Sequence, residues 1–156
     1  MAIAALTGPV ESRPVDSAPF RAHVRHLLTA VGSTEEALGL IAGVSPSVVH
    51  RLSGPGRDAA AAWIAGDVAR RLLAVTPAHL ADLAGRSVAA APVTCQLRML
   101  RGTGWSPARM STEFGVEQWL IDALLDGAVA TCSRLIERQI TGGMLALRSR
   151  PARAAA

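Results

Sequence analysis

Residues 33–54 read STEEALGLIAGVSPSVVHRLSG, and this stretch decides the fold. Ser33 followed three residues later by Glu36 predicts a capping box, in which the hydroxyl accepts a free N–H of the first helical turn and the carboxylate folds back onto the backbone of Ser33. Ala37, Leu38 and Ile41 then recur at three-to-four spacing, which gives a short helix one apolar face. Gly43 supplies the left-handed position at which that helix stops. Ser45 opens a second helix with Pro46 at its first position, where a missing N–H costs nothing, and Val48, Val49 and Leu52 carry it to Gly54. The reading is helix, tight turn, helix, with Gly39 as the small residue where the two helices cross.

Two short helices cannot bury enough surface alone, so a support is expected on either side. Upstream, residues 19–31 (PFRAHVRHLLTAV) place Phe20, Val24, Leu27, Leu28 and Val31 at helical spacing before Gly32. His23 and His26 share one face of that helix, but no carboxylate or cysteine cluster accompanies them, so a solvated polar face is expected and no metal. Residues 1–18 contain Pro9 and Pro14, with Pro19 directly after, show no periodicity, and read as a flexible arm. Downstream, residues 57–75 predict helix through Trp63, Ile64, Val68, Leu72 and Leu73, with Asp67 as an internal cap and Gly66 as a division. Thr76 and Pro77 start a further helix that closes at Gly85. Residues 86–92, inside the run GRSVAAAP, read as a linker.

The second half repeats the first. Gly115, Val116, Ile121 and Leu124 each stand 72 residues after Gly43, Val44, Val49 and Leu52. Ser106 with Pro107 starts a helix ahead of Gly115, and Gly104 ends the apolar helix of residues 93–100 as Gly32 ends its counterpart. A shared offset in turn glycine and inward face predicts a duplicated unit over residues 93–147. The outward positions differ: Glu117, Gln118, Trp119, Asp122 and Ala123 replace Ser45, Pro46, Ser47, His50 and Arg51. Residues 131–147 predict a last helix with Leu135, Ile136, Ile140, Met144 and Leu147 as its stripe, and residues 148–156 (RSRPARAAA) form a basic tail.

Composition narrows the class. Of 156 residues, 50% are hydrophobic but only 3% aromatic, so the core must be built from Ala, Leu, Val and Ile, which favours closely packed helices. All sixteen basic residues are arginine and the net charge is +4. A basic balance suits a polyanionic partner, although the excess lies beyond residue 85. The absence of Lys, Tyr and Asn, whose codons are AT-rich, fits a GC-rich genome. Cys95 and Cys132 lie far apart with no CxxC, which points away from a disulfide scaffold or zinc site and towards reduced, cytosolic thiols. The N-terminus lacks a cationic start before its apolar residues, no apolar run reaches the length of a membrane span, and a cytoplasmic protein is expected. There is no nucleophile with a base, no paired carboxylates and no ligand cluster. A lone GxG at residues 102–104 follows a helix where a dinucleotide site would need a strand, so neither enzyme nor cofactor is expected.

At the turn glycine, the small crossing residue Gly39 and the inward face Val44, Val49 and Leu52, residues 33–54 resemble the helix-turn-helix of bacterial and phage repressors. Two such units joined by a short linker in an arginine-only chain resemble the two-domain regulators of actinobacteria and the immunity repressors of their phages. The resemblance implies an all-α fold of two small helical domains, at residues 19–85 and 93–147, each built around a helix-turn-helix. It implies a sequence-specific regulator of double-stranded DNA, a repressor, that lays residues 45–52 in the major groove. Ser45, Ser47, Val48, His50 and Arg51 are then the outward candidates, with Arg51 able to read guanine O6 and N7 or to hold a phosphate. Arg57, Arg109, Arg148 and Arg150 are further phosphate candidates, and Arg70 and Arg71 either contact phosphate or solubilise their face. Gln118 and Trp119 are the base-edge candidates of the second unit, supported by Arg98, Arg101 and Arg109 around them. A monomer using both units and a homodimer on a palindrome both fit, and no small-molecule ligand is evident. The alternative is a protein-interaction module, a phage factor or antitoxin-like partner, that docks through Trp119 and the last helix.

Overall fold

A computed structural model describes residues 13–55 and 62–149. The fold is all-α, with two short antiparallel strand pairs beside the helices. The chain runs β1 (Val15–Asp16), α1 (Ala18–Val31), α2 (Glu35–Ala42), α3 (Pro46–Ser53), β2 (Trp63–Ile64), α4 (Gly66–Ala74) and α5 (Pro77–Gly85). It continues β3 (Ser87–Ala89), α6 (Ala91–Gly102), α7 (Pro107–Phe114), α8 (Gln118–Asp126), β4 (Thr131–Ser133) and α9 (Arg134–Ser149). Apart from α5, one sequence of elements occurs twice: strand, three helices, strand, helix.

The repetition extends to single hydrogen bonds. Val15 and Asp16 pair with Ile64 and Trp63, while Ser87, Val88 and Ala89 pair with Ser133, Cys132 and Thr131. Ser17 N donates to Ala62 O and Ala90 N donates to Ala130 O, each at 2.9 Å. Thr34 Oγ1 accepts from Ala37 N and Ser106 Oγ from Arg109 N, both at 3.2 Å, so the same cap opens α2 and α7. Gly43 and Gly115 end those helices at φ of 66° and 62°, a left-handed backbone that glycine adopts without steric cost. At the first crossing, a Cβ on Gly39 would stand 3.0 Å from Val44 O, so only a bare backbone admits α3 this closely.

Several sequence expectations are corrected. The cap of α2 is Thr34, with extended backbone (φ −86°, ψ 159°), while Ser33 is buried one residue earlier. Two adjacent hydroxyls look alike in sequence, and the backbone decides between them. Trp63 and Ile64 form a strand, and α4 starts unbroken at Gly66, with Asp67 in its first turn facing Arg71 at 4.0 Å. Within the expected arm, Val15 and Asp16 are paired and Ser17 is buried; residues 1–12 lie outside the described residues. Within the expected linker, residues 87–89 are paired and Ala90 is buried. The last helix begins at Arg134, because residues 131–133 belong to the second strand pair. Strands of two or three residues are too short to show alternation, so periodicity does not reveal them. His23 is half-buried where a solvated face was expected: its Nε2 lies 3.1 and 2.9 Å from the carbonyls of Leu72 and Val75, closing the end of α4, while His26 is exposed.

Two apolar clusters form the core. Val24, Leu27, Leu38, Val49, Leu52, Leu72 and Leu80 meet in the first, and Leu97, Met110, Phe114, Ile121, Leu124 and Ile140 in the second. Helix α9 serves both: Leu135 enters the first cluster while Ile140 and Met144 enter the second. It also lies directly on α2. A Cβ on Gly142 would stand 2.9 Å from the carbonyl group of Glu36, and buried Gln139 donates from Nε2 to Gly32 O at 3.2 Å.

Candidate nucleic-acid interface

Helix α3 turns Val49 and Leu52 fully inward and leaves Ser45, Ser47, His50 and Arg51 exposed, with Val48 half-buried between. That segregation follows from the inward residues at 49 and 52 being anchored on α1 and α2, so the opposite arc must face water. The sequence-predicted set on this helix is therefore brought together on one face. No residue of α3 is acidic.

The local hydrogen bonds hold that face in place. Arg25 from α1 donates from Nε to Ser53 O at 3.4 Å and from Nη2 to Gly54 O at 3.2 Å, closing the C-terminus of α3. Arg71 donates from Nη1 to Gly43 O at 2.8 Å and so pins the turn. Glu35, at the start of α2, accepts from Ser53 Oγ and sits 2.8 Å from Nδ1 of His50 through its other oxygen. His50 is thus a strut between α2 and α3 as well as an exposed ring. The hydroxyls of Ser45 and Ser47 are 2.8 Å apart and satisfy each other. Arg51 has no ion-pair partner among the described residues and borders a shallow depression with Val48, Leu52, Trp63 and Ile64.

The end of α9 runs alongside the start of α3. Leu145, Ala146 and Ser149 face Gly43, Val44 and Pro46 across an open cleft of about 440 Å³. Arg148, next to Ser149 on α9, is exposed and is a cation contributed by the second half. Arg57 and Arg150 lie outside the described residues.

The second unit has the same scaffold and a different face. Trp119 is 67% exposed and Gln118 is exposed beside it, with Glu117 at the cap, Asp122 half-buried and Asp126 exposed. Two arginines expected to support DNA contact here have partners of their own. Arg98 donates from Nε and Nη2 to Leu125 O at 3.0 and 2.9 Å, and Arg109 stacks 3.8 Å from the centroid of Trp105. A stacked guanidinium keeps its N–H edge available, so Arg109 retains an anion-binding edge, whereas Arg98 spends its donors on the helix end. The turn at Gly115 faces the first unit, within contact of Thr34 and Gly32.

Sequence reasoning overlooked Arg25, left Arg71 between phosphate contact and solubility, and gave Arg98 to DNA. The repeat gave no clear signal for them, because Arg25 and Arg98 stand 73 residues apart where the turn glycines stand 72 apart. Burial pushes the Cys132 thiol above its usual range, with Glu137 adding to the effect, and β4 holds it 7% exposed. No helix among the described residues is long and apolar enough to cross a membrane.

No family model, curated protein or solved structure matches this chain.

Proposed function

We propose that this chain is a sequence-specific double-stranded DNA-binding transcription regulator, a cytoplasmic repressor of the phage-immunity kind, that reads the major groove with α3. The observation that carries the reading is the outward arc of α3. Ser45, Ser47, His50 and Arg51 project from a helix held by a tight turn; that helix carries no acidic residue, and the Glu35 carboxylate of α2 at its edge is engaged by His50 and Ser53. A helix of this size fits the major groove, and its residue types are those that pair with base edges and phosphates. In this reading Arg51 takes guanine O6 and N7, Ser47 meets a base or phosphate, and the α3 N-terminus with Arg148 holds the backbone.

Selection of bound sites from a random duplex pool tests the reading. An enriched motif, bound at moderate salt and weakened with relaxed specificity by Arg51→Ala, is the expected result. Failure to enrich any sequence would remove it. The exposed Trp119 favours a second reading, a protein-interaction module, and an electrophoretic shift on duplex DNA separates the two.

A further inference from the structure

Helix α8 occupies the place in the second unit that α3 occupies in the first, and its inward side is equally well defined: Ile121, Leu124 and Leu125 are buried. Trp119, Asp122, Ala123 and Asp126 follow at i, i+3, i+4 and i+7, a single stripe on the opposite side. Trp119 is 67% exposed, the most exposed large apolar side chain in the described residues. Glu117 adds a third carboxylate at the helix cap. None of Glu117, Asp122 and Asp126 takes part in an ion pair among the described residues.

These features oppose a phosphate backbone and suit a cation. Carboxylates facing duplex DNA lower affinity. A solvent-facing indole flanked by carboxylates offers a π-face for a guanidinium or ammonium together with anions to fix its charge. Equivalent positions on α3 carry Ser47, His50, Arg51 and Gly54, with no acid, so one scaffold bears faces of opposite preference. An exposed tryptophan ringed by polar groups is also the usual centre of a protein contact.

We propose that the outward face of α8 docks a basic segment of a partner polypeptide, seating an arginine or lysine on Trp119 between Asp122 and Asp126. This surface is separate from α3 and its occupancy does not depend on DNA. The chain is itself cationic, at +4, so diffuse attraction does not draw a basic peptide to it and binding must be local.

The test titrates the full chain with a hexa-arginine peptide, and with hexa-glutamate as control, while following the indole N–H resonances. Trp119→Phe identifies the signal of that residue. The expected result is a saturable shift at Trp119, absent with hexa-glutamate and weakened about tenfold by Trp119→Ala and by Asp122→Asn with Asp126→Asn. Trp119 and Asp126 are exposed, and the half-buried Asp122 has no ion-pair partner among the described residues, so thermal melting of the variants should match the parent. No shift, a shift shared equally with Trp63 and Trp105, or an affinity that the variants leave unmoved would overturn the proposal. So would tighter duplex binding by the Asp122→Asn, Asp126→Asn protein combined with weaker binding by Trp119→Ala, because that pattern puts DNA on α8. Arg51→Ala reads the α3 site independently, so the two proposals can fail separately.

Discussion

The α2–α3 pair and the α7–α8 pair share a backbone plan and differ in what they show to solvent. Both open on a hydroxyl cap, both bend at a left-handed glycine, and both bury the same inward positions. In both, an arginine from the preceding helix closes the end of the second helix. Yet α3 presents hydroxyls, an imidazole and a guanidinium, and α8 presents an indole and carboxylates. Inward residues fix the shape, outward residues are free to differ, and so repetition of a scaffold does not imply repetition of a ligand.

The comparison breaks most readily at the joint between the units. Gly142→Val would drive a side chain into the backbone of α2, which cannot move aside, and should destabilise the protein by about 3 kcal/mol in urea unfolding. A loss confined to a few tenths would mean that α9 does not rest on α2. Next in size is the face of α3: Arg51→Ala should weaken duplex binding by about 1–3 kcal/mol, read by fluorescence anisotropy, with one base position becoming less selective. The paired clamps sharpen the contrast further. Arg98→Ala removes two short hydrogen bonds and should cost about 1–2 kcal/mol, whereas Arg25→Ala, whose bonds are longer and exposed, should cost less than about 1 kcal/mol. Thr34→Ala and Ser106→Ala should each cost about 1 kcal/mol and, being equivalent caps, should agree within a few tenths. Smallest is Arg148→Ala, which should reduce affinity for all sequences alike and lower the salt slope by about one.

What could be read from the sequence was what is decided locally. The turn glycines, the prolines at the first turns of α3, α5 and α7, and the buried positions 49, 52, 121 and 124 are each fixed by neighbours within one or two turns. The strand pairs were not legible, because Val15 meets Ile64 across almost fifty residues and neither stretch is long enough to alternate. Nor were the roles of Arg25, Arg71 and Arg98 legible, since an arginine committed to a distant carbonyl looks in sequence like one left for phosphate. The candidate site on α3 was legible as a face, while the tie from His50 to Glu35 required two helices to be placed side by side. Gly142 and Gly143 passed as unremarkable helix residues, although they mark where α9 meets α2 and the ring of Phe114.

Helix α9 follows the second unit in the chain but roofs the first, and this limits how the chain can be taken apart. A chain ending at residue 85 would lack Leu135 in its core and bare the flank of α2, while a chain starting at residue 86 would leave Gln139 without its acceptor on Gly32. The halves share a plan, yet neither can be lent out as a cassette: melting one should melt the other in a single cooperative step.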